Sequence, residues 1–201
     1  MRGLRFCWVS VMLLLFVGSG ILLAPPSWRW GMRVVTHMQS YWCWRAWCGE
    51  PSRIPRTGQP SCWLTIPDCN IDALVLAGST RANLGRSICS EAFCRENGTP
   101  LQVFSGHRDT HFRRLQRVAP GSELTLRHAD GSSVRYRIVD IETVAQERLV
   151  DCLAANTQPG WIAIFTCFPF RYIGPAPARY ILWAAPILVN APHSNAFCLQ
   201  R

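Results

Sequence analysis

Lysine is absent from the chain: all 21 basic residues are arginine, a bias that a GC-rich genome produces without any functional demand. Acidic residues are also scarce, 12 in 201, so the formal charge is +9 and only 16% of residues are charged. With 49% of the chain hydrophobic, that shortage of charge excludes a disordered protein and argues against a coiled coil. No internal repeat is visible, which removes collagen. One segment, Phe6–Ala24, stands out as a candidate membrane span, and this argues against a multi-span protein. No nucleic-acid-binding motif accompanies the basic excess, so no nucleic-acid partner is expected. No acidic cluster resembles a calcium loop, and the Cys-x4-Cys pairs Cys43/Cys48 and Cys89/Cys94 lack the second half of a zinc ligand set. No metal and no other cofactor is therefore expected.

The placement of charge says more than its sum. Residues 1–61 hold seven Arg and a single acid, Glu50, whereas residues 62–201 hold fourteen Arg and eleven acids. The basic third also carries Trp28, Trp30, Trp42, Trp44 and Trp47. Indole and guanidinium both suit the headgroup level of a membrane. Phe6–Ala24 is an uncharged run that would extend about 28 Å as a helix, close to one hydrocarbon core. It reads as an uncleaved anchor. A cleaved signal peptide is the alternative, weakened by the apolar Ile21-Leu22-Leu23 directly after Gly18-Ser19-Gly20. The arginines on its two sides nearly balance, so charge does not set its orientation. Ten cysteines suit an oxidising compartment outside the cytoplasm.

Four regions follow: an anchor or signal over 1–24, a Trp/Arg-rich juxtamembrane segment and linker over 25–61, a main domain over 62–190 and a tail over 191–201. The main domain reads as short strands at Trp63–Ile66, Ala73–Ala77, Leu101–Ser105, Glu123–Arg127, Val134–Asp140, Trp161–Thr166 and Arg179–Ala184. Ala129-Asp130-Gly131 is a hairpin signal. Short helices are expected over Asp109–Gln116, capped by Asp109 or Thr110, and within Asn83–Glu96. The stretch from Val144 to Pro159 reads as a long connection with some helix. Many short strands point to a closed β-barrel or a sandwich.

Three segments place reactive side chains where predicted strands end: Phe104–Phe112 with His107, Ile164–Phe170 with Cys167, and Pro177–Tyr180 with Arg179. A thiol attacks an amide only as thiolate, and an imidazole beside it raises the thiolate fraction. A guanidinium is a permanent cation able to hold an oxyanion or substrate carbonyls. Cys167, His107 and Arg179 thus supply a nucleophile, an acid/base and an electrostatic stabiliser for acyl transfer. Asp109 is a candidate partner of His107 or a cap. Thr166 is a candidate supporting contact or an ordinary strand residue. His111 reads as a solvated or capping residue, and His37, His128 and His193 as exposed.

Gly106-His107-Arg108-Asp109-Thr110 with Phe112, Leu115 and Gly121 resembles the histidine segment of sortases. Thr166-Cys167-Phe168-Pro169-Phe170 resembles the nucleophile segment of that family, and Gly174, Ala176-Pro177 and Arg179-Tyr180 its arginine segment. The form is similar to class D and class E sortases, including the Gram-negative type. Ser105, where alanine is common, and Ala145, where many relatives have proline, depart from the pattern. The resemblance implies a mostly-β, closed barrel of about eight strands with short helices, behind an N-terminal transmembrane helix. It implies a cysteine transpeptidase that cleaves an LPxTG-like sorting signal through a thioacyl-enzyme on Cys167 and passes the acyl group to an amine of the cell envelope. His107 and Arg179 would serve as acid/base and oxyanion stabiliser. It further implies a single-pass protein of the bacterial inner membrane, held by residues 6–24, with the N-terminus inside and the domain in the periplasm. With Cys167 free and Cys7 in the apolar run, disulfides are expected among Cys43, Cys48, Cys62, Cys69, Cys89, Cys94, Cys152 and Cys198; buried free thiols are the alternative. The competing functions are a non-catalytic Cys-rich envelope module and another type of cysteine acyltransferase.

Overall fold

The computed structural model describes residues 26–48 and 54–187. The candidate anchor Phe6–Ala24 and the tail 191–201 lie outside the described residues. The chain divides into two units, residues 1–40 and 41–201. Helix α1 (Pro26–Trp47) starts in the first unit with a proline at its first position, where the missing N–H costs no hydrogen bond, and ends in the second. Among the described residues no helix is long and apolar enough to cross a membrane.

Eight strands build the second unit: β1 (Pro60–Ile66), β2 (Ile71–Ala77), β3 (Ile88–Cys94), β4 (Pro100–Ser105), β5 (Glu123–His128), β6 (Ser133–Ala145), β7 (Ile162–Phe168) and β8 (Ala178–Pro186). They close into a barrel in the order β1-β2-β3-β4-β7-β8-β6-β5, with β5 returning to β1. Closure leaves no edge strand, so the expected choice between barrel and sandwich is settled for the barrel. Two parallel neighbours, β2/β3 and β4/β7, interrupt an otherwise antiparallel order. Helix α2 (Arg81–Arg86) makes the first of these crossovers, and its Thr80 cap accepts from the Asn83 N–H at 3.2 Å. Helix α3 (Leu149–Ala155) lies in the connection between β6 and β7, where some helix was expected.

One expectation holds in part and one fails. The short helix expected within Asn83–Glu96 is confined to its start, in α2, and Ile88–Cys94 is β3, clasped between β2 and β4. The pairing on both sides overrides a sequence without clean alternation. Asp109–Gln116 is a chain of turns ending in a single 3-10 turn at Leu115–Arg117, with no helix for Asp109 or Thr110 to cap. Phe112 and Leu115 there are fully buried, so the segment is shaped by packing into the barrel end instead of by helical spacing.

The strand period of two sorts side chains to two faces. The barrel interior takes Leu64, Ile66, Phe104, Leu126, Ile138, Ile164 and Leu182. A bulge between Ile138 and Asp140 resets the parity of β6, so that Ile141 faces the same interior. The outer wall carries two further apolar clusters. Leu101, Val103, Ala163, Ile181 and Trp183 pack under Leu153 of α3. Trp63, Leu74, Leu76 and Cys89 pack under Trp44 from the last turn of α1.

No disulfide joins the eight described cysteines. Cys62, Cys69 and Cys89 are buried as small apolar groups, and burial pushes their thiols up to about 12, about 11 and about 11 respectively. The buried-thiol alternative is the one the structure shows for these three. Cys198 lies outside the described residues.

Candidate active site

Register places the thiol beside the guanidinium. Cys167 on β7 is the direct partner of Arg179 on β8, and Arg179 is the partner of Val144 on β6. Partnered residues share a face. Phe165 and Ala163, two and four residues before Cys167, belong to the outer cluster, so Cys167 and Arg179 face the outside of the barrel. The thiol is half-buried.

The imidazole arrives by the parallel pairing of β4 with β7. Ser105 pairs with Phe165, and two further residues along each chain lead to His107 and Cys167. Between them lies the tether. Thr166, 1% exposed and turned inward, donates its hydroxyl to the Gly106 carbonyl at 2.7 Å. Gly106 is required for a separate reason: a Cβ there would sit 2.8 Å from the ring of the fully buried Phe112. The Phe112 N–H in turn donates to the His107 carbonyl at 3.0 Å. His107 itself is exposed on a backbone held from both sides.

Arg179 is held in place by three acceptors. Nη1 donates to the Ala176 and Ala178 carbonyls at 3.1 and 2.9 Å, and Nη2 to Gln146 Oε1 at 2.7 Å. Gln146 also donates its backbone N–H to Pro177, which fastens the end of β6 to the start of β8. Nothing in the strand reading singled out Gln146. Its signal is positional, since it directly follows Ala145, the partner of Ala178.

Asp109 is exposed, and its field raises the affinity of His111 for a proton. Burial and repulsion from His107 outweigh it and hold His111 below its ordinary value. His128, expected to be exposed, is half-buried at the end of β5 and is likewise pushed down by burial. Both imidazoles therefore bind protons more weakly in the folded than in the unfolded chain. Their contribution to stability is fully present above the ordinary value of 6.5 and is lost as pH falls through the lower folded values. The unfolding midpoint in urea is expected to drop between pH 7.5 and pH 5.5, and to drop less in a His111→Gln, His128→Gln double variant.

Between β6 and α3 the outer wall opens into a cavity of about 640 Å³, lined by Glu142, Val144 (the strand partner of Arg179), Ala145, Arg148, Cys152 and neighbours. Glu142 accepts from the Cys152 thiol at 3.0 Å and from the Trp183 indole at 2.5 Å. Burial, reinforced by that carboxylate, pushes Cys152 up to about 12. Among the described residues no group of three or more His, Cys, Asp or Glu side chains is placed to hold a metal ion.

The fold and site define a closed β-barrel protein whose outer wall presents a thiol and a guanidinium on adjacent strands, with an imidazole on the segment that follows a third. Residues 64–187 match the family model described as Sortase domain, and the chain belongs to the sortase family. It is 33% identical over 132 residues to Sortase D of Bacillus subtilis, a match covering 64% of this chain and 65% of that protein, just under two thirds of its length. A crystal structure of a lid mutant of Streptococcus agalactiae Sortase C1 superposes with a TM-score of 0.57 at 20% identity, covering 70% of this chain and 74% of that one. The Sortase D5 transpeptidase of Clostridium perfringens gives 0.55 at 21% identity, over 66% and 82%. These two show the same fold.

Proposed function

We propose that the chain is a cysteine transpeptidase acting on an LPxTG-like sorting signal. The Cys167–Arg179 register pair, with the chain to His107 leaving β4 directly after Ser105 pairs with Phe165 of β7, is the observation that carries this reading. The Cys167 thiolate attacks the carbonyl carbon of the scissile Thr–Gly bond, and the Arg179 guanidinium faces the oxygen that gains charge. The C–N bond then breaks, and His107 gives its proton to the departing amine. A thioacyl-enzyme remains. An envelope amine, deprotonated by His107, attacks the thioester, releases the thiolate and forms the new amide. Hydrolysis is the side reaction when water takes the place of the amine. Thr166 and Gly106 serve by holding the His107 segment against β7. On this reading residues 6–24 hold the protein in the inner membrane with its barrel in the periplasm.

The full-length protein, incubated with a library of LPxTG-type peptides, is expected to gain a thioacyl mass that hydroxylamine converts to a free hydroxamate. Cys167→Ala should gain none. An adduct that persists in Cys167→Ala, or a folded wild-type protein that forms none with any library member or envelope-derived substrate, would overturn the proposal.

A further inference from the structure

We propose that Arg108 is a positioning residue that fastens the β7–β8 connection to the segment carrying His107, an inference that rests on the function proposed above. The connection runs from Pro169 to Pro177 and joins the strand of Cys167 to the strand of Arg179. Its two ends have their own anchors. At the start, Phe168, Phe170 and Tyr180 form one aromatic cluster, with ring centroids 5.2 to 6.0 Å apart. At the other end Ala176 is buried and its carbonyl accepts from Arg179. Between these anchors Arg171, Tyr172, Ile173, Gly174 and Pro175 are all exposed, Ile173 completely so. Among the described residues, the hydrogen bonds that fix this middle stretch come from Arg108.

Arg108 Nη2 donates to the Tyr172 carbonyl at 3.0 Å and to the Gly174 carbonyl at 3.1 Å. Its Cζ lies 5.7 Å from the centre of the Tyr172 ring, within cation–π range. Nη1 is buried without a hydrogen-bond acceptor, so the guanidinium accepts a desolvation cost to reach this place. Gly174 adopts φ +103, a conformation that a side chain resists, and its carbonyl is one of the two that Arg108 holds. A planar fork serves two carbonyls and a ring face together, which an ammonium does less well. Because Arg108 directly follows His107, one side chain couples the imidazole segment to the chain between the thiol and the guanidinium. The height of the connection above Cys167, and the placement of His107 beside it, are then set by the same contact.

The test compares the full-length wild type with Arg108→Gln and Arg108→Lys. Amide hydrogen exchange over residues 171–176 is expected to quicken roughly tenfold in Arg108→Gln, with the barrel strands unchanged, and by less in Arg108→Lys. The second readout is site-resolved alkylation of Cys167 by iodoacetamide across pH 5 to 9. The midpoint of its pH profile is expected to move by about half a unit or more in Arg108→Gln, as His107 loses its placement, and part of the way in Arg108→Lys. Unchanged exchange overturns the proposal. So does faster exchange with an unmoved Cys167 profile, which would leave Arg108 a loop fastener only. If Arg108→Gln loosens the whole barrel, Arg108→Lys decides: both readouts shifted supports the proposal, and wild-type values overturn it. A wild-type Cys167 profile with no imidazole-linked step would count against the proposed function itself, and the exchange result would still decide whether Arg108 fastens the connection.

Discussion

Replacing His107 with glutamine is expected to slow acyl-enzyme formation about 10²- to 10⁴-fold at neutral pH. Glutamine keeps the length and some hydrogen-bonding capacity of imidazole but cannot take and return a proton. The surrounding structure isolates that loss. The His107 carbonyl still accepts from Phe112, and Gly106 is still held by Thr166, so the backbone stays where it is. Residual activity should rise with pH as unassisted thiolate accumulates, while the wild type passes through a plateau or maximum. Single-turnover mass spectrometry of the thioacyl adduct, read from pH 5 to 9, measures both effects. A rate within about tenfold of wild type would remove His107 from the mechanism. Asp109→Asn is the natural comparison. Asp109 is exposed and its field falls on His111, so its loss should leave the rate within a small factor. Four of the other described thiols do not obscure the chemistry, and the exposed Cys43, Cys48 and Cys94 are told apart from Cys167 by the Cys167→Ala control. Cys62, Cys69, Cys89 and Cys152 are all pushed up to about 11 or 12 and stay protonated near neutrality.

The three candidate segments were legible in the sequence because each lies at an end of a strand, and the chains to His107 and Cys167 run on from the paired Ser105 and Phe165. Seven strands were readable because their residues are β-branched or aromatic between turn signals. β3 was not. Ile-Cys-Ser-Glu-Ala-Phe-Cys carries no alternation, and it is a strand because β2 and β4 offer hydrogen bonds on both sides. The contacts that brace the site were hidden for a similar reason. Gln146 meets Arg179 across 33 residues of sequence, and Arg108 meets Gly174 across 66, and neither pairing leaves a local pattern. Arg108 stood inside a recognised motif without an assigned task. Its task depends on where the β7–β8 connection comes to lie.

Replacing Trp44 with alanine is expected to cost roughly 3–5 kcal/mol of stability. The segment 25–61 reads in sequence as a connector, but its residues 26–47 are helix α1, and Trp44 in the last turn is only 3% exposed. The indole packs with Trp63, at 6.2 Å between ring centroids, and belongs to a cluster with Leu74, Leu76 and Cys89 on the outer wall. Tyr41 meets Trp63 edge-on at 6.5 Å. Without Trp44 the wall of β1, β2 and β3 loses its most buried cover, since Trp47, Leu84 and Ala129 against the same cluster are only partly buried. For a domain whose total stability is typically about 5–15 kcal/mol, such a loss is about a fifth or more. Urea titration of the full-length protein measures it directly, and a change below about 1 kcal/mol would show that the contact is incidental. A chain begun at Cys62, just before the matched domain, should suffer more, because it loses Tyr41, Trp44 and Trp47 together. It should then expose Trp63, Leu74 and Leu76 and aggregate. Trp42, on the same turn but 61% exposed, separates the two roles of the tryptophans in this helix. Its replacement should leave the urea midpoint within about 0.5 kcal/mol, as expected for a surface site. The aromatic richness of the segment, read from sequence as a preference for the membrane surface, thus includes at least one residue whose place is against the barrel.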